Sequence, residues 1–359
     1  MRKTKVLVGL SGGIDSSVSA LLLKEKGYDV MGVFMKIFDE KDKNIFLASG
    51  GCYGPEEKDL EDVKKVCKIL GIPLYVVDLK NEYKEIVLNY FKEEYLKGKT
   101  PNPCVICNRF LKFDILIKKA LSLGIEFNFF ATGHYARVEY DENRRRYILK
   151  KGLDKEKDQS YFLFLLTQEQ LSKIIFPLGT YTKDKVREIG RKYNFPMVDK
   201  AESQDFIKGD RFFLFNGITK EGEIVDKNGR VLGRHKGIIY YTIGQRKGLG
   251  IAKGEPLYVI SIDEKENKII VGTEEDLYKK QLIAEKVNFI SFEKLEGEME
   301  VEAKIRYKHT PAKAIIKPIK DNKIIVTFEK PQRAPTPGQA VVFYKNDETI
   351  GGGFISEVI

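Results

Sequence analysis

Along the first half of the chain, short apolar runs alternate with longer segments whose apolar residues recur every three or four positions. Lys5–Gly9 (KVLVG), Asp29–Met35 (DVMGVFM), Pro73–Leu79 (PLYVVDL) and Phe127–Thr132 (FNFFAT) have strand length and little polar alternation, which suits strands buried in a parallel sheet. Between them, Ser16–Lys26 places Val18, Leu21 and Leu22 together with Lys and Glu opposite, and Gly27 closes it. Leu60–Leu70 repeats the pattern through Val63, Val66 and Cys67 and stops at Gly71; Tyr83–Leu96 and Phe110–Leu123 predict two more helices, separated by a break at 98–103. This alternation predicts an α/β fold with a doubly wound parallel sheet, whose ligands sit beyond the carboxyl ends of the strands.

From about Glu223 the period changes. Strands become short and turns frequent, first through GEIVDKNGRVLG, KGIIYYTIG and PLYVISIDEKENKIIVG, then from Glu298 through MEVEAKIRY, AKAIIKPI, KIIVTFE and QAVVFYKND. The expectation is a small central β-rich domain followed by a C-terminal antiparallel β-barrel. The predicted boundaries give a catalytic domain over 1–205, a central domain over 206–280 and a barrel over 281–359.

Composition narrows the function. The chain has 359 residues, 42% hydrophobic and 32% charged, as expected of globular domains. Lys and Arg total 62 against 52 Asp and Glu, a net charge of +10, which favours a polyanionic partner such as nucleic acid without naming one. No run approaches the roughly 18 apolar residues of a membrane span, and VLVGL near the N-terminus is too short for a signal-peptide core, so the expected location is cytoplasmic, with no membrane partner. Of the four cysteines, Cys52, Cys67, Cys104 and Cys107, the last two form a C-x-x-C, which in a reducing compartment reads as redox, sulfur or metal chemistry.

Two segments carry candidate chemistry. Gly9-Leu10-Ser11-Gly12-Gly13-Ile14-Asp15-Ser16-Ser17 spans the end of the first strand and the start of the first helix, where glycines admit an anion and helix N–H groups bind phosphate. It matches neither the Walker pattern nor the dinucleotide fingerprint. Thr100-Pro101-Asn102-Pro103-Cys104-Val105-Ile106-Cys107-Asn108-Arg109 precedes a predicted helix, so a thiol near its N-terminus and beside Arg109 has its thiolate favoured. No second C-x-x-C exists to complete a zinc site. Clusters Arg144-Arg145-Arg146, Lys150-Lys151, Lys155 and Lys157, and Arg234, Arg246 and Lys247 beside Tyr240 and Tyr241, suit phosphate contacts with a folded RNA.

SGGIDSS resembles the loop of the ATP-pyrophosphatase enzymes, which adenylate a carbonyl oxygen and then let a nucleophile displace AMP. Together with GCYGPEEKDLEDVKKVCKILGIPLYVVDL, TPNPCVICNRFLKF, ATGHYARV, GLDKEKDQSYFL, YYTIGQRKGLGI and TPGQAVVFY, in that order, it is similar to the bacterial tRNA-specific 2-thiouridylases from about residue 3 to the C-terminus. The resemblance implies an adenine-nucleotide-hydrolase-like sheet domain and a tRNA-uridine 2-sulfurtransferase that thiolates the wobble uridine, position 34, of tRNA for Lys, Glu and Gln. It implies ATP and Mg2+, and sulfur delivered by a cysteine desulfurase through relay proteins. Carried across by motif, Gly9, Leu10, Ser11, Gly12, Gly13, Ile14, Asp15, Ser16, Met35 and Gly133 would hold ATP. Cys107 would be the nucleophile, Asn102, Pro103 and Cys104 would lie at the target base, and His134, Lys157, Asp158, Gln159, Arg306, Tyr307 and Gln339 would contact tRNA. A small-molecule ligase with the same loop would need an ammonia source, for which the chain has no glutaminase-like region; a binding module would need neither the loop nor the paired thiols.

One departure from the family bears on mechanism. Where it usually has a second catalytic cysteine in a segment like SQDICFI, this chain reads Ser203-Gln204-Asp205-Phe206-Ile207. Two arrangements remain open: Cys104 resolves the Cys107 persulfide, or Cys104, Cys107 and Cys52 bind a [4Fe–4S] cluster whose open iron holds sulfide. Cys67 lies on the apolar face of its helix and is expected in the core.

Overall fold

The computed structural model describes residues 3–39, 53–200, 206–207, 211–215, 217–251 and 254–359. The chain divides into two compact units, one within Met1–Val87, Cys104–Asp210 and Asp347–Thr349, the other within Leu88–Pro103, Arg211–Asn346 and Ile350–Ile359.

The chain opens with β1 (Lys5–Gly9), α1 (Ile14–Glu25), β2 (Asp29–Lys36), α2 (Glu57–Leu70) and β3 (Leu74–Asp78). A helical run follows, α3 (Lys80–Tyr83), a π-helical turn Lys84–Leu88 and α4 (Asn89–Leu96), the last of which belongs to the second unit. Another run comprises α5 (Pro103–Ile106), a π-helical stretch Cys107–Ile115 and α6 (Leu116–Ser122). Then come β4 (Phe129–Ala131), a hairpin of β5 (Ala136–Asp141) and β6 (Arg146–Lys151), α7 (Gln168–Ser172), β7 (Ile174–Ile175) and α8 (Lys183–Lys192).

In the first unit these strands form a parallel sheet in the order β3-β2-β1-β4-β7. Val6, Leu7 and Val8 of the central strand are fully buried, which is why β1 reads as an unbroken apolar run. Val18, Leu21, Leu22 and Leu23 of α1 pack with Val63, Val66, Cys67 and Leu70 of α2 and with Val186 of α8 in one core. The order reverses on either side of β1, so the crevice beyond its carboxyl end is where such sheets bind ligands.

In the second unit, β8 (Gly222–Val225), β9 (Val231–His235), β10 (Tyr258–Asp263) and β11 (Lys268–Gly272) make a four-stranded sheet. β12 (Tyr278–Phe289), β13 (Met299–Lys304), β14 (Ala312–Pro318), β15 (Ile324–Arg333), β16 (Ala340–Lys345) and β17 (Glu348–Val358) follow, and pairing of β12 with β17 closes them into an antiparallel barrel. Leu282, Ile316, Val326, Phe328 and Phe343 fill its interior. Closure removes the exposed edges that a six-stranded sheet would present. The predicted fold class is therefore the observed one.

Several local expectations needed correction. The helix holding the cysteines begins at Pro103, where a missing N–H costs nothing, not at Phe110. Cys104 thus lies in its first turn, and Cys107 opens the π-helical stretch one turn further in rather than standing before the helix. The basic cluster at 144–151 belongs to the β5–β6 hairpin, where Arg144 pairs with Asp141 and Glu348, Lys150 with Glu139, and Arg137 with Asp347. Within that cluster Arg144 and Lys150 are thus ion-paired at the surface. Tyr241 is buried against His235, so it too leaves the proposed surface patch, whereas Arg246 and Lys247 are exposed.

Candidate active site

The loop between β1 and α1 turns at a position that requires glycine. Gly12 sits at φ +72°, and a Cβ there would lie 2.8 Å from the Asp59 backbone at the start of α2. Gly13 is the N-cap of α1 and makes no side-chain cap, which leaves the first-turn N–H groups available to an anion. The serines shape the turn. Ser16 Oγ accepts from Ser11 N–H (3.2 Å) and donates to the Gly13 carbonyl (3.1 Å), and Ser17 Oγ donates to the same carbonyl (2.9 Å).

Gly133, from the turn after β4, lies directly against this loop: a Cβ on it would meet Ser16 N at 2.7 Å and Asp15 C at 2.8 Å. The Asp15 carboxylate belongs to a charge cluster. It accepts two bonds from Lys183 Nζ, at 2.8 Å each, and one from the Tyr135 hydroxyl at 2.8 Å. Lys183 is buried, so its ammonium offsets the Asp15 charge at the helix start, where a polyphosphate would otherwise meet an uncompensated carboxylate. On the other side, Lys200 Nζ donates to the Gly12 carbonyl (3.3 Å) and to Asp59 and Asp62 of α2. Burial disfavours the Lys200 charge, but these two carboxylates outweigh it and raise its pKa. Lys183, Tyr135 and Lys200 were not anticipated from sequence. Met35 lies near the end of β2, beside Val77 of β3 and partly exposed.

The two thiols share one helix three residues apart, Cys107 buried and Cys104 partly exposed. Cys67 is in the core as expected, where burial pushes its thiol up to about 11 and keeps it unreactive. Cys52, expected as a third cluster ligand, lies outside the described residues. Among the described residues, no group of three or more His, Cys, Asp or Glu gathers as a metal site. A cluster with one open iron takes three thiolates, so the described residues supply a two-thiol site and do not complete that cluster.

His134 bonds Thr132 Oγ1 through Nδ1 (2.7 Å) and sits between the rings of Phe113 and Phe176, each 5.8 Å away. Burial, with a smaller push from Lys112, drives its pKa down to about 3, so the ring is neutral near pH 7. Asp158 is buried and holds its own loop, accepting from Gly152 N–H, Ser160 N–H and the Ser160 hydroxyl. Gln159 accepts from Tyr135 N–H (3.0 Å) and so supports the residue that contacts Asp15; Lys157 is partly exposed.

The second unit places two predicted RNA contacts, Arg306 and Gln339, on one cleft of about 200 Å³ that Thr100, Thr242, Arg333 and Thr336 also line. Gln339 Nε2 donates to the carbonyls of Thr100 (3.2 Å) and Pro101 (3.0 Å), which fixes the segment leading to Asn102. Asn102 is buried and donates its N–H to the Tyr90 hydroxyl (3.3 Å). Arg306 Nη1 donates to the Arg333 carbonyl, while Arg333 itself pairs with Glu274. Tyr307 has the Lys304 ammonium 5.7 Å from its ring centre.

A parallel sheet with an anion-accepting glycine–serine turn at its reversal point, joined to a β-sheet and a closed barrel, defines a multidomain nucleotide-dependent class of protein. Family models match in the same order: a tRNA methyl transferase HUP domain over residues 4–208, a tRNA methyl transferase PRC-barrel domain over 211–273 and an aminomethyltransferase beta-barrel domain over 279–355. The chain is 48% identical over 362 residues to the tRNA-specific 2-thiouridylase MnmA of Acetivibrio thermocellus, covering 99% of this chain and 100% of that one. It is 51% identical to MnmA 1 of Caldanaerobacter subterraneus subsp. tengcongensis, covering 99% and 98% respectively. Among solved structures, a 4-thiouridine synthetase–RNA complex with bound ATP aligns at 17% identity and TM-score 0.35, over 59% of this chain and 45% of that one, too distant to bear on function. The chain belongs to the tRNA-specific 2-thiouridylases, a family of tRNA-uridine 2-sulfurtransferases.

Proposed function

We propose that this chain uses ATP to thiolate C2 of the wobble uridine, position 34, in tRNA for Lys, Glu and Gln, in the cytoplasm. The observation that carries the reading is the loop from Gly9 to Ser17, whose helix N–H groups suit a triphosphate, with the Asp15 carboxylate at the helix start already neutralised by Lys183. In this reading Gly9 to Ser16, Met35 and Gly133 hold ATP, and Mg2+ arriving with the nucleotide would neutralise part of its phosphate charge. The uridine O2 attacks the α-phosphorus, pyrophosphate leaves, and the resulting O2–AMP ester turns a poor leaving group into a good one.

Sulfur then comes from a persulfide on Cys107, charged by a cysteine desulfurase or its relay proteins. The terminal sulfur attacks C2 and AMP departs. The Cys104 thiolate attacks Cys107 Sγ, which breaks the S–S bond, frees the 2-thiocarbonyl and leaves a Cys104–Cys107 disulfide for a thiol reductant to reopen. The support for this route over a cluster is the pair of thiols one helical turn apart. Residues 1–205 would carry the activation chemistry, and 206–280 and 281–359 would grip the RNA, with Arg306, Tyr307 and Gln339 among the contacts. Iron and acid-labile sulfide assays on anaerobically purified protein test the sulfur route: active, iron-free enzyme is expected, and activity that scales with bound iron would overturn the persulfide scheme.

A further inference from the structure

The helix that carries Cys107 does not keep α-helical winding. From Cys107 to Ile115 it is π-helical, an under-wound form that is rare over nine residues and concentrates at functional sites. Such winding needs outside support, because its backbone geometry is less favourable than that of an α-helix. Here one side chain supplies two bonds to the stretch. Gln170 Nε2 donates to the carbonyl of Arg109 (3.0 Å) and to that of Phe113 (2.9 Å), two groups four residues apart within the π-helical stretch.

The rest of the Gln170 amide is also committed. Its Oε1 accepts from Thr167 N–H at 3.0 Å, and its own N–H donates to Thr167 Oγ1, the reciprocal capping box that starts α7. Both donors and the acceptor are used, so the network itself fixes which end of the amide is nitrogen. Gln170 therefore ties the capped start of α7 to the stretch that begins at Cys107. A second tether comes from Asn108, buried beside Cys107, whose Nδ2 donates to the Phe162 carbonyl at 3.2 Å while its Oδ1 has no hydrogen-bond partner among the described residues.

We propose that Gln170 is a positioning residue for sulfur transfer: its amide holds the π winding after Cys107 and so sets the direction in which the Cys107 sulfur is presented. The inference rests on the assignment of Cys107 as the sulfur-carrying thiol. Relaxation to α-helical winding would rotate successive side chains by a fraction of a turn, and a misplacement of about 1 Å at a reacting atom costs up to roughly a hundredfold in rate. Adenylation, which uses the β1–α1 loop, does not depend on that direction.

The test separates the two jobs of Gln170. Gln170→Glu keeps an acceptor for the capping box but removes both donors to the helix; Gln170→Met removes both without adding charge; Thr167→Ala weakens the cap but leaves the amide donors in place. Measured on the full chain with tRNA and ATP, the two Gln170 variants are expected to keep KM for ATP and tRNA within about twofold and to form AMP normally, yet to lose about tenfold or more in kcat for thiolation. The rate of Cys107 alkylation by iodoacetamide, followed by peptide mapping, is expected to change severalfold, and Thr167→Ala is expected to lower Tm without either effect. Wild-type thiolation in both folded Gln170 variants, with Cys107→Ser inactive, would overturn the role of Gln170. An equal loss in Thr167→Ala would also overturn it, since the cap would then be the cause. Thiolation that survives Cys107→Ser would instead overturn the assignment of Cys107 beneath it.

Discussion

Lys183 Nζ donates to both carboxylate oxygens of Asp15, each at 2.8 Å, from a side chain that is only 5% exposed. The pair joins the first residue of α8 to the first turn of α1, two helices that pack in one core.

Removing one partner of such a pair leaves the other charged and poorly solvated. Lys183→Met is expected to destabilise the protein by about 2–3 kcal/mol in denaturant titrations, toward the low end for buried pairs because Asp15 keeps some solvent contact. It is also expected to raise KM for ATP at least about tenfold. The double variant Lys183→Met/Asp15→Asn should regain most of the stability but not the ATP affinity. A single variant with wild-type KM would show that the pair does not shape the nucleotide site.

Gly133 is required by contact rather than by φ. Gly133→Ala puts a methyl 2.7 Å from Ser16 N and 2.8 Å from Asp15 C, against backbone that cannot yield without moving the loop. ATP turnover should fall by about an order of magnitude or more. Gly124→Ala is the control: its φ of +80° is strained but nothing lies within 4 Å, so about 1 kcal/mol of stability is lost with turnover intact.

Glu56 gives a pH signature. Its Oε1 accepts from Ile37 and Phe38 N–H, yet burial outweighs those bonds and raises its pKa to about 7, with Oε2 lacking a partner among the described residues. Because the folded state holds this proton more tightly than the unfolded chain, stability contributed by Glu56 falls as pH rises from about 4.5 to about 7, then levels. Glu56→Gln should match wild type near pH 4.5 and exceed it by up to about 2–3 kcal/mol at pH 7.5, the linkage value discounted for partial solvent access. Parallel stability curves for the two proteins across that range would contradict the assignment.

Binding of tRNA should weaken steeply with salt. Phosphate contacts release counterions, so log K should fall linearly with log[salt] from 50 to 300 mM, and Arg306→Ala should reduce the slope by about 1. A flat response would count against Arg306, and against a phosphate-gripping surface at large.

How much of this the sequence disclosed depends on whether the determinant is local. Lys5–Gly9 and its loop were legible because burial on both faces and the glycine requirements act within a few residues. The C-x-x-C was legible as chemistry, but its place in the helix was not: Pro103 reads equally well as a stop or as a first helical residue. Lys183 has the composition of a solvated helix start, and only the tertiary approach of Asp15 makes it a buried pair. The same holds for Gln170, whose capping role with Thr167 is local while its bonds to Arg109 and Phe113 cross about 60 residues of sequence. The pairing of Arg144 was not legible for a related reason, since its acidic partner Glu348 is 204 residues away.

The central claim is that the β1–α1 loop activates a tRNA uridine for sulfur. Its most direct test incubates the purified protein with ATP, a persulfide donor and unmodified tRNA for Lys, Glu or Gln, and follows AMP, pyrophosphate and nucleoside composition together. The account predicts AMP and pyrophosphate that appear only with cognate tRNA, in step with 2-thiouridine at position 34. Tight tRNA binding without ATP turnover, or turnover that leaves the wobble uridine unthiolated, would contradict it.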